Sequence, residues 1–238
     1  MSEIDIIFGR MDRWRHLPTY QLERRADLFF ALYIPEVLEV KLGFAIRSEL
    51  IPEFPARIGT NFGGISNRSN NIDYLALSED KKKAVFVELK TDDSSRNAKQ
   101  DRYYATSREA GLKRLLEGIL DIFRTQERQK YRSKYFCLIE QLASLEQYQI
   151  PDELRIIMKR ANHTGYRNAS RDIEVTSEVS ECIVIYIQPN VQPNEEPEFD
   201  VITFEDFGRT ILKNGDALSA RFAKSLSEWA EVDPGTCD

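Results

Sequence analysis

Three charged residues that could act together stand at the ends of two apolar runs in the first half of the chain. Asp73 lies near the start of the run Ile72–Leu77, whereas Glu88 and Lys90 lie near the end of the run Ala84–Lys90. Because side chains alternate between the two faces of a strand, Glu88 and Lys90 are predicted to point to the same side. Two carboxylates beside an ammonium suit a divalent cation such as Mg²⁺, which binds carboxylate oxygens and retains several waters.

The segment between the two runs indicates how Asp73 could reach that side. Residues 78–83 are polar and of hairpin length, so the two runs are predicted to form adjacent antiparallel strands. Asp73 would then lie at the same rim of the sheet as Glu88 and Lys90. At such a site the lysine could orient or help deprotonate a water molecule, or neutralise charge on a phosphate.

The order of these residues resembles the signature of a known superfamily. Asp73 followed by Glu88-Leu89-Lys90 is similar to the D…(D/E)xK pattern of the PD-(D/E)XK nucleases, which include many restriction endonucleases and recombination nucleases. Gln100 and Tyr104 add a Q-x-x-x-Y pattern that resembles the motif of the RecB-like members. Residues four apart share a helix face, so this pair is predicted to form one polar patch beside the site.

The resemblance implies a Mg²⁺-dependent nuclease that hydrolyses phosphodiester bonds in DNA, with Mn²⁺ as an alternative ion. Its implied metal ligands are Asp73, Glu88 and the Leu89 carbonyl oxygen. Lys90 would position the attacking water or stabilise the developing charge. The Q-x-x-x-Y pair would orient the lysine, the water or a phosphate.

One further carboxylate is expected from a helix, since the superfamily commonly places a glutamate on its first core helix. The predicted helix from residue 36 to residue 50 offers Glu36, Glu39 and Glu49. Glu39 lies one turn inside that helix, as in the family, and is the preferred catalytic and metal-binding candidate. The alternative for each of the three is a plain surface acid.

The elements that must position these residues follow from hydrophobic periodicity. Residues 1–18 are interpreted as a short entry segment, and residues 60–71 as a loop. Pro35 is predicted to separate two helices, and Pro52 and Pro55 to end the second. The predicted helices cover residues 19–33, 36–50, 131–148 and 217–229, with another from Gln100. The predicted strands cover residues 56–59, 72–77, 84–90, 181–187 and 199–204.

This order predicts an α/β fold with a mixed central β-sheet flanked by helices. The resemblance implies a restriction-endonuclease-like αβββαβ core with extra C-terminal helices and strands. A single domain over residues 1–238 is predicted, with a core at about 20–190 and a C-terminal extension at about 191–238.

Composition narrows the functional classes. The chain is 42% apolar and 30% charged, with a net charge of −6. Residues 96–134 contain eleven Lys and Arg and five Asp and Glu. Residues 172–238 contain four Lys and Arg and fifteen Asp and Glu. This segregation predicts either a basic face near the site or merely solvated helix faces.

The remaining composition argues for a reduced, cytoplasmic setting. Cys137, Cys182 and Cys237 are odd in number and widely spaced, which favours free thiols over disulfides or a zinc site. With only two histidines, a Cys/His metal site or a serine–histidine triad is not expected. No signal peptide and no apolar run of about 18 residues are apparent, so no membrane association is predicted.

Two other functions stay open at this stage. The chain could be a catalytically inactive nucleic-acid-binding or assembly protein that keeps the nuclease fold, or a phosphoryl hydrolase for a small nucleotide. The sequence does not predict whether the substrate is DNA or RNA, or whether it is single- or double-stranded. It also does not predict endo- or exonuclease action or any sequence specificity. Oligomeric state is also open, with a homodimer as one option, because many relatives need paired sites to cut both strands.

Overall fold

The computed structural model describes residues 2–63, 66–92, 98–191 and 199–231. Its helices are α1 (Glu3–Trp14), α2 (Leu22–Leu42), α3 (Ile58–Phe62), α4 (Ala98–Thr125), α5 (Gln129–Ser144), α6 (Asp152–Met158), α7 (Tyr166–Ala169), α8 (Phe204–Ile211) and α9 (Ala217–Ala230). Its strands are β1 (Ile51–Arg57), β2 (Ser69–Leu77), β3 (Lys83–Leu89), β4 (Tyr148–Gln149), β5 (Glu174–Val175), β6 (Glu181–Gln188) and β7 (Asp200–Thr203).

Five of these strands form a mixed sheet in the order β1-β2-β3-β6-β7. β1 runs antiparallel to β2, and β6 runs parallel to β7. The predicted fold class, an α/β protein with a mixed central sheet flanked by helices, is therefore confirmed. β3 is the middle strand, which explains why residues 84–89 are all buried and form an almost continuous apolar run.

A short turn joins β2 to β3, as predicted. The Ser78 N–H donates to the Lys83 carbonyl oxygen at 3.0 Å, and the Ser78 hydroxyl donates to Asp80 at 2.6 Å. Parallel neighbours need a crossover of a dozen or more residues, so this connection makes the two strands antiparallel.

The chain divides into two compact units. The first unit comprises residues 1–50, 87–101 and 184–238, and the second comprises residues 51–86 and 102–183. The predicted C-terminal extension thus belongs to the same unit as the first fifty residues. The single domain over residues 1–238 stays a prediction.

Aromatic side chains from four helices form the core of the first unit. Phe222 of α9 lies 5.5 Å from Phe8 of α1 and 5.0 Å from Phe30 of α2, between ring centres. Phe207 of α8 lies 5.2 Å from Phe30. These rings are buried, so they fix the helix layer that carries the start of α2.

α1 corrects the prediction that residues 1–18 are only an entry segment. A capping box starts this helix: the Ser2 hydroxyl accepts from the Asp5 N–H at 3.2 Å, and the Asp5 carboxylate accepts from the Ser2 N–H at 2.9 Å. Phe8 and Met11 then give the helix a buried face.

α2 corrects the prediction of two helices separated at Pro35, because the helix continues through the proline. Pro35 removes one backbone donor, but the buried residues Tyr33, Ile34 and Val37 on either side keep the helix packed. The helix ends before Gly43, whose φ of +75° closes a left-handed cap, rather than at Leu50.

The chain after α2 also differs from the predicted pattern. Pro52 and Pro55 lie inside β1, an edge strand, where a missing N–H is tolerated. The predicted loop at residues 60–71 contains most of α3 and the start of β2, with residues 64 and 65 outside the described ranges. α5 ends at Ser144 instead of Tyr148, and α8 was not predicted.

Candidate active site

Glu88 and Lys90 lie together at the end of β3, within the first unit. The Lys90 ammonium forms an ion pair with Glu88 Oε1, which confirms that the two side chains point to the same side. Their side chains are only 3% and 9% exposed, respectively. The Lys90 N–H donates to the Ile187 carbonyl oxygen at 2.8 Å, so the backbone is fixed where the ion pair forms.

Gln100 joins the same cluster from the first turn of α4. Its side-chain amide donates to Glu88 Oε1, the oxygen that also accepts from Lys90. The next residue, Asp101, accepts a hydrogen bond from the hydroxyl of the buried Tyr186 at 2.7 Å. Two consecutive residues thus anchor the start of α4 to β3 and to β6.

The buried carboxylate of Glu88 depends on these donors. Removing one partner of a buried ion pair leaves an uncompensated charge and costs about 3–5 kcal/mol. The second donor, Gln100, restrains the rotamer of Glu88 and also stabilises its charged form. The Glu88–Lys90–Gln100 cluster therefore forms a preorganised polar site in an apolar setting.

Glu23, in the first turn of α2, is a carboxylate that the sequence reasoning missed. Burial raises the pKa of Glu23; the charge of Lys90 opposes this effect, and the charges of Glu88 and Asp92 add to it. Glu23 is therefore close enough to the ion pair to sense both of its members. Glu23 lies in the predicted helix 19–33, and joining that helix to the predicted helix 36–50 through Pro35 would have identified it as an acid of the same helix as Glu39.

The three glutamates considered from the sequence lie elsewhere in the first unit. Glu39 accepts from the Ile46 N–H at 2.9 Å, Glu36 from the Asn214 amide at 2.9 Å, and Glu49 from the Ser48 hydroxyl at 3.3 Å. An α-helix rises about 1.5 Å per residue, so Glu39 lies roughly 24 Å along α2 from Glu23. Glu23 and Glu39 cannot both serve one metal site.

Asp73 and Tyr104 belong to the second unit. Asp73 is half-buried on β2, and the strand register places Glu53 of β1 across from it. Glu53 has a φ of +50°, which is unusual for a residue with a side chain and often marks functional sites. Tyr104 is fully buried in α4, with its ring 5.6 Å from that of Tyr103. The roles assigned to Asp73, Tyr104 and the Leu89 carbonyl stay predictions.

A cleft of about 720 Å³ opens in the first unit beside Glu23. Its lining includes both signs of charge, contributed among others by Arg15, Tyr20, Glu23, Arg24, Thr91 and Asp92. Thr91 and Asp92 directly follow Lys90 in the chain. In the part of the chain that the structure describes, neither arginine has a carboxylate within ion-pair distance. Near its acids the cleft therefore offers two guanidinium groups that have no carboxylate partner among the described residues, although Arg15 Nε donates to His16 Nε2 at 3.3 Å.

Acidic side chains in the described ranges do not cluster as the ligands of a closed metal site would. Among residues 2–63, 66–92, 98–191 and 199–231, no three His, Cys, Asp or Glu side chains lie close enough together to hold a metal ion. Mg²⁺ does not need such a cluster, since one or two carboxylates suffice when waters and substrate phosphates complete its shell. At Glu88 the structure shows one carboxylate, whose Oε1 contacts Lys90 and Gln100.

Comparisons with known proteins add no further assignment. No family model matches the chain, and no curated protein and no solved structure matches it significantly. None of the helices in the described ranges combines the length and the apolar character that crossing a bilayer requires.

Proposed function

We propose that this protein is a metal-dependent nuclease that hydrolyses phosphodiester bonds in DNA. The observation that carries the proposal is the Glu88–Lys90–Gln100 cluster. Lys90 and Gln100, which belong to different motifs, both contact one carboxylate oxygen of the buried Glu88, two and twelve positions away in the chain. A solvent-exposed Glu–Lys pair on a strand would not need a glutamine from the following helix.

Glu88 would hold a Mg²⁺ ion, and the motif adds Asp73 and the Leu89 carbonyl oxygen as further ligands. Glu23 would influence the charge at the site without coordinating the ion, because the charges of Lys90 and Glu88 act on its carboxyl. When bound, the ion would supply Lewis-acid polarisation of the phosphate and a lowered pKa for a bound water.

The protein's own residues account for positioning and charge. The Lys90 ammonium, which has little exposure to solvent, would offset negative charge that develops on a phosphate. Gln100 keeps the Glu88 carboxylate in one orientation, so that the acid does not have to be ordered during the reaction. Arg15 and Arg24 in the neighbouring cleft would contact phosphates of the bound strand.

A second candidate is a binding or assembly protein that keeps the fold without catalysis. The burial of Glu88 favours it, because the carboxylate is already neutralised by Lys90 and is only 3% exposed on its side chain. In that case the cluster would serve stability alone. The same arginine-containing cleft would then bind nucleic acid without cleaving it.

The decisive experiment is cleavage of single- and double-stranded DNA, with matched RNA substrates, in Mg²⁺, Mn²⁺ or EDTA. Wild type should cleave DNA only with metal, and Lys90→Ala should lose about 10²-fold or more of the rate. Lys41→Ala, which removes an exposed lysine of the same unit at the end of α2, is the control and should cleave normally.

Folding of the variants must be controlled, because Lys90→Ala leaves a buried charge. The double variant Glu88→Gln/Lys90→Gln leaves no charge at the pair and repeats the test in a less destabilised chain. DNA binding without cleavage by wild type, in every metal, would support the binding protein and contradict the nuclease. Sedimentation of the wild type would test the homodimer.

A further inference from the structure

A cavity of about 520 Å³ in the second unit lies at the start of α5 and at the segment that leads into α7. Its lining combines cations, side-chain amides and an aromatic ring, from residues that include Gln129, Arg132, His163, Tyr166, Arg167 and Asn168. No Asp or Glu stands among the lining residues that the structure describes. In a chain with a net charge of −6, this cavity is a local reversal of charge.

Tyr166 holds the two arginines of this cavity in place. The guanidinium carbon of Arg132 lies 4.1 Å from the centre of the Tyr166 ring, and Arg167 Nε donates to the Tyr166 hydroxyl at 3.2 Å. The hydroxyl donates to the Gln126 carbonyl oxygen at 2.8 Å, which fixes the ring. Two like charges are thus ordered around one aromatic side chain.

These guanidinium groups have donors to spare. Within the described ranges, neither Arg132 nor Arg167 has a carboxylate at ion-pair distance. Arg132 Nη2 donates to the backbone oxygen of Glu127 at 2.8 Å, and the Glu127 carboxylate acts on Arg167 only through space. The planar donor set of arginine matches the oxygens of phosphate, so the cavity is suited to an anion of that shape.

Two buried nitrogen atoms of the lining residues lack a hydrogen-bond partner among the described residues, namely Arg132 Nε and His163 Nδ1. His163 is only 6% exposed, and burial, followed by the charge of Arg132, lowers its pKa. An unsatisfied buried polar group costs about 1–3 kcal/mol, so native proteins usually supply a partner. A ligand with several acceptor oxygens would provide one.

We propose that this cavity binds a phosphate group. The phosphate oxygens would accept hydrogen bonds from Arg132, Arg167 and His163, with the Asn168 amide as a further donor. The volume lies within the range of about 300–1,000 Å³ for small-molecule pockets, which leaves room for the rest of a phosphate monoester or for part of a nucleic-acid backbone. The site is independent of hydrolysis at Glu88 and stands if that proposal fails.

Titration of the full-length chain with inorganic phosphate, against sodium chloride at equal ionic strength, tests the site. We expect saturable shifts of the His163 ring resonances and an affinity lowered at least about tenfold in Arg167→Gln. Arg171→Gln, which removes an exposed arginine of the same segment outside the lining, should keep the wild-type affinity. Backbone amide spectra would verify that both variants are folded.

Two oligonucleotides, one with a 5′-phosphate and one with a 5′-hydroxyl, distinguish the sources of the phosphate. Preference for the phosphorylated end, with competition by inorganic phosphate, identifies a monoester site. Equal binding of the two oligonucleotides, with competition by inorganic phosphate, identifies a site for the nucleic-acid backbone. The proposal is overturned if phosphate leaves the His163 resonances unchanged, or if Arg167→Gln and Arg171→Gln weaken binding equally.

Discussion

Gln100 donates its side-chain amide to the carboxylate of Glu88, which links the first turn of α4 to the end of β3. Lys90 pairs with the same carboxylate oxygen. Because both donors converge on one atom, changes at either residue should be felt at Glu88. This relationship makes the contribution of each partner measurable.

Replacing Gln100 with Leu should reduce both stability and activity. The variant loses a hydrogen bond to a buried charge, which is worth about 1.5–3 kcal/mol. For a chain of this size that loss lowers the melting temperature by roughly 3–12 °C. Thermal unfolding and the cleavage assay would show both effects, whereas Lys99→Leu, one residue earlier on the exposed side, should show neither.

The raised pKa of Glu23 predicts a pH-dependent contribution to stability. In the folded state the carboxyl holds its proton above the ordinary value of 4.5, so the folded chain binds more protons than the unfolded chain in that window. Stability should therefore fall as the pH rises from 4.5 through the folded pKa. Unfolding measured from pH 4 to pH 8 should show this slope in wild type and a weaker one in Glu23→Gln.

The matched control for Glu23 is Glu39→Gln on the same helix. Glu39 lies roughly 24 Å from Glu23 at the α-helical rise, so its replacement should leave the part of the slope that Glu23 contributes unchanged. Added Mg²⁺ should reduce the wild-type slope, because a cation favours the charged form of Glu23. If Glu39→Gln flattened the pH dependence and Glu23→Gln did not, the assignment of the helix acid would revert to Glu39.

Asp12 should be a stabilising residue of the first unit. Its carboxylate accepts from Arg221 at 2.5 Å, from the Ser225 hydroxyl at 2.8 Å and from the Trp229 indole N–H at 2.9 Å, which ties α1 to α9. Asp12→Ala removes the acceptor of these donors and should lower the free energy of unfolding by about 3 kcal/mol. Chemical denaturation would measure the loss; Glu3→Ala, an exposed change in the same helix, should cost under about 1 kcal/mol.

Two glycines in helices should respond to alanine in opposite directions. A Cβ at Gly118 would meet Thr60 Oγ1 at 2.5 Å, so Gly118→Ala should destabilise the chain by about 1–2 kcal/mol. A Cβ at Gly9 would meet nothing within 4 Å, so Gly9→Ala should stabilise it by about 0.5–1 kcal/mol. Thermal melts of both variants check the pair, and Thr60→Ala should rescue Gly118→Ala. A destabilised Gly9→Ala would contradict the packing described for α1.

The contacts of Glu88 show what local sequence patterns can predict. Strand alternation correctly placed Glu88 and Lys90 on one side, and the motif order put Gln100 nearby. The position of Glu23 could not be obtained in this way, since Pro35 suggested that the helix containing Glu39 was separate. Tertiary burial of Tyr33 and Val37 outweighed the proline, and this effect is not visible in local propensity.

The differences at the chain start and at β1 have similar causes. The Ser2–Asp5 capping box is a recognisable signal for the start of a helix. The buried face of α1, however, depends on the tertiary contact between Phe8 and Phe222. Pro52 and Pro55 resemble helix terminators in sequence, yet an edge strand accepts them. The phosphate-binding cavity proposed around Tyr166 combines residues up to about forty positions apart, so no local sequence motif predicts it.

The most direct measurement is anomalous diffraction from crystals of the protein soaked in Mn²⁺. We predict one ion within about 2.5 Å of a Glu88 carboxylate oxygen, and loss of that ion in Glu88→Gln. Binding of Mn²⁺ only at other places, or no ion at a concentration that supports cleavage, would contradict a metal-dependent site at Glu88.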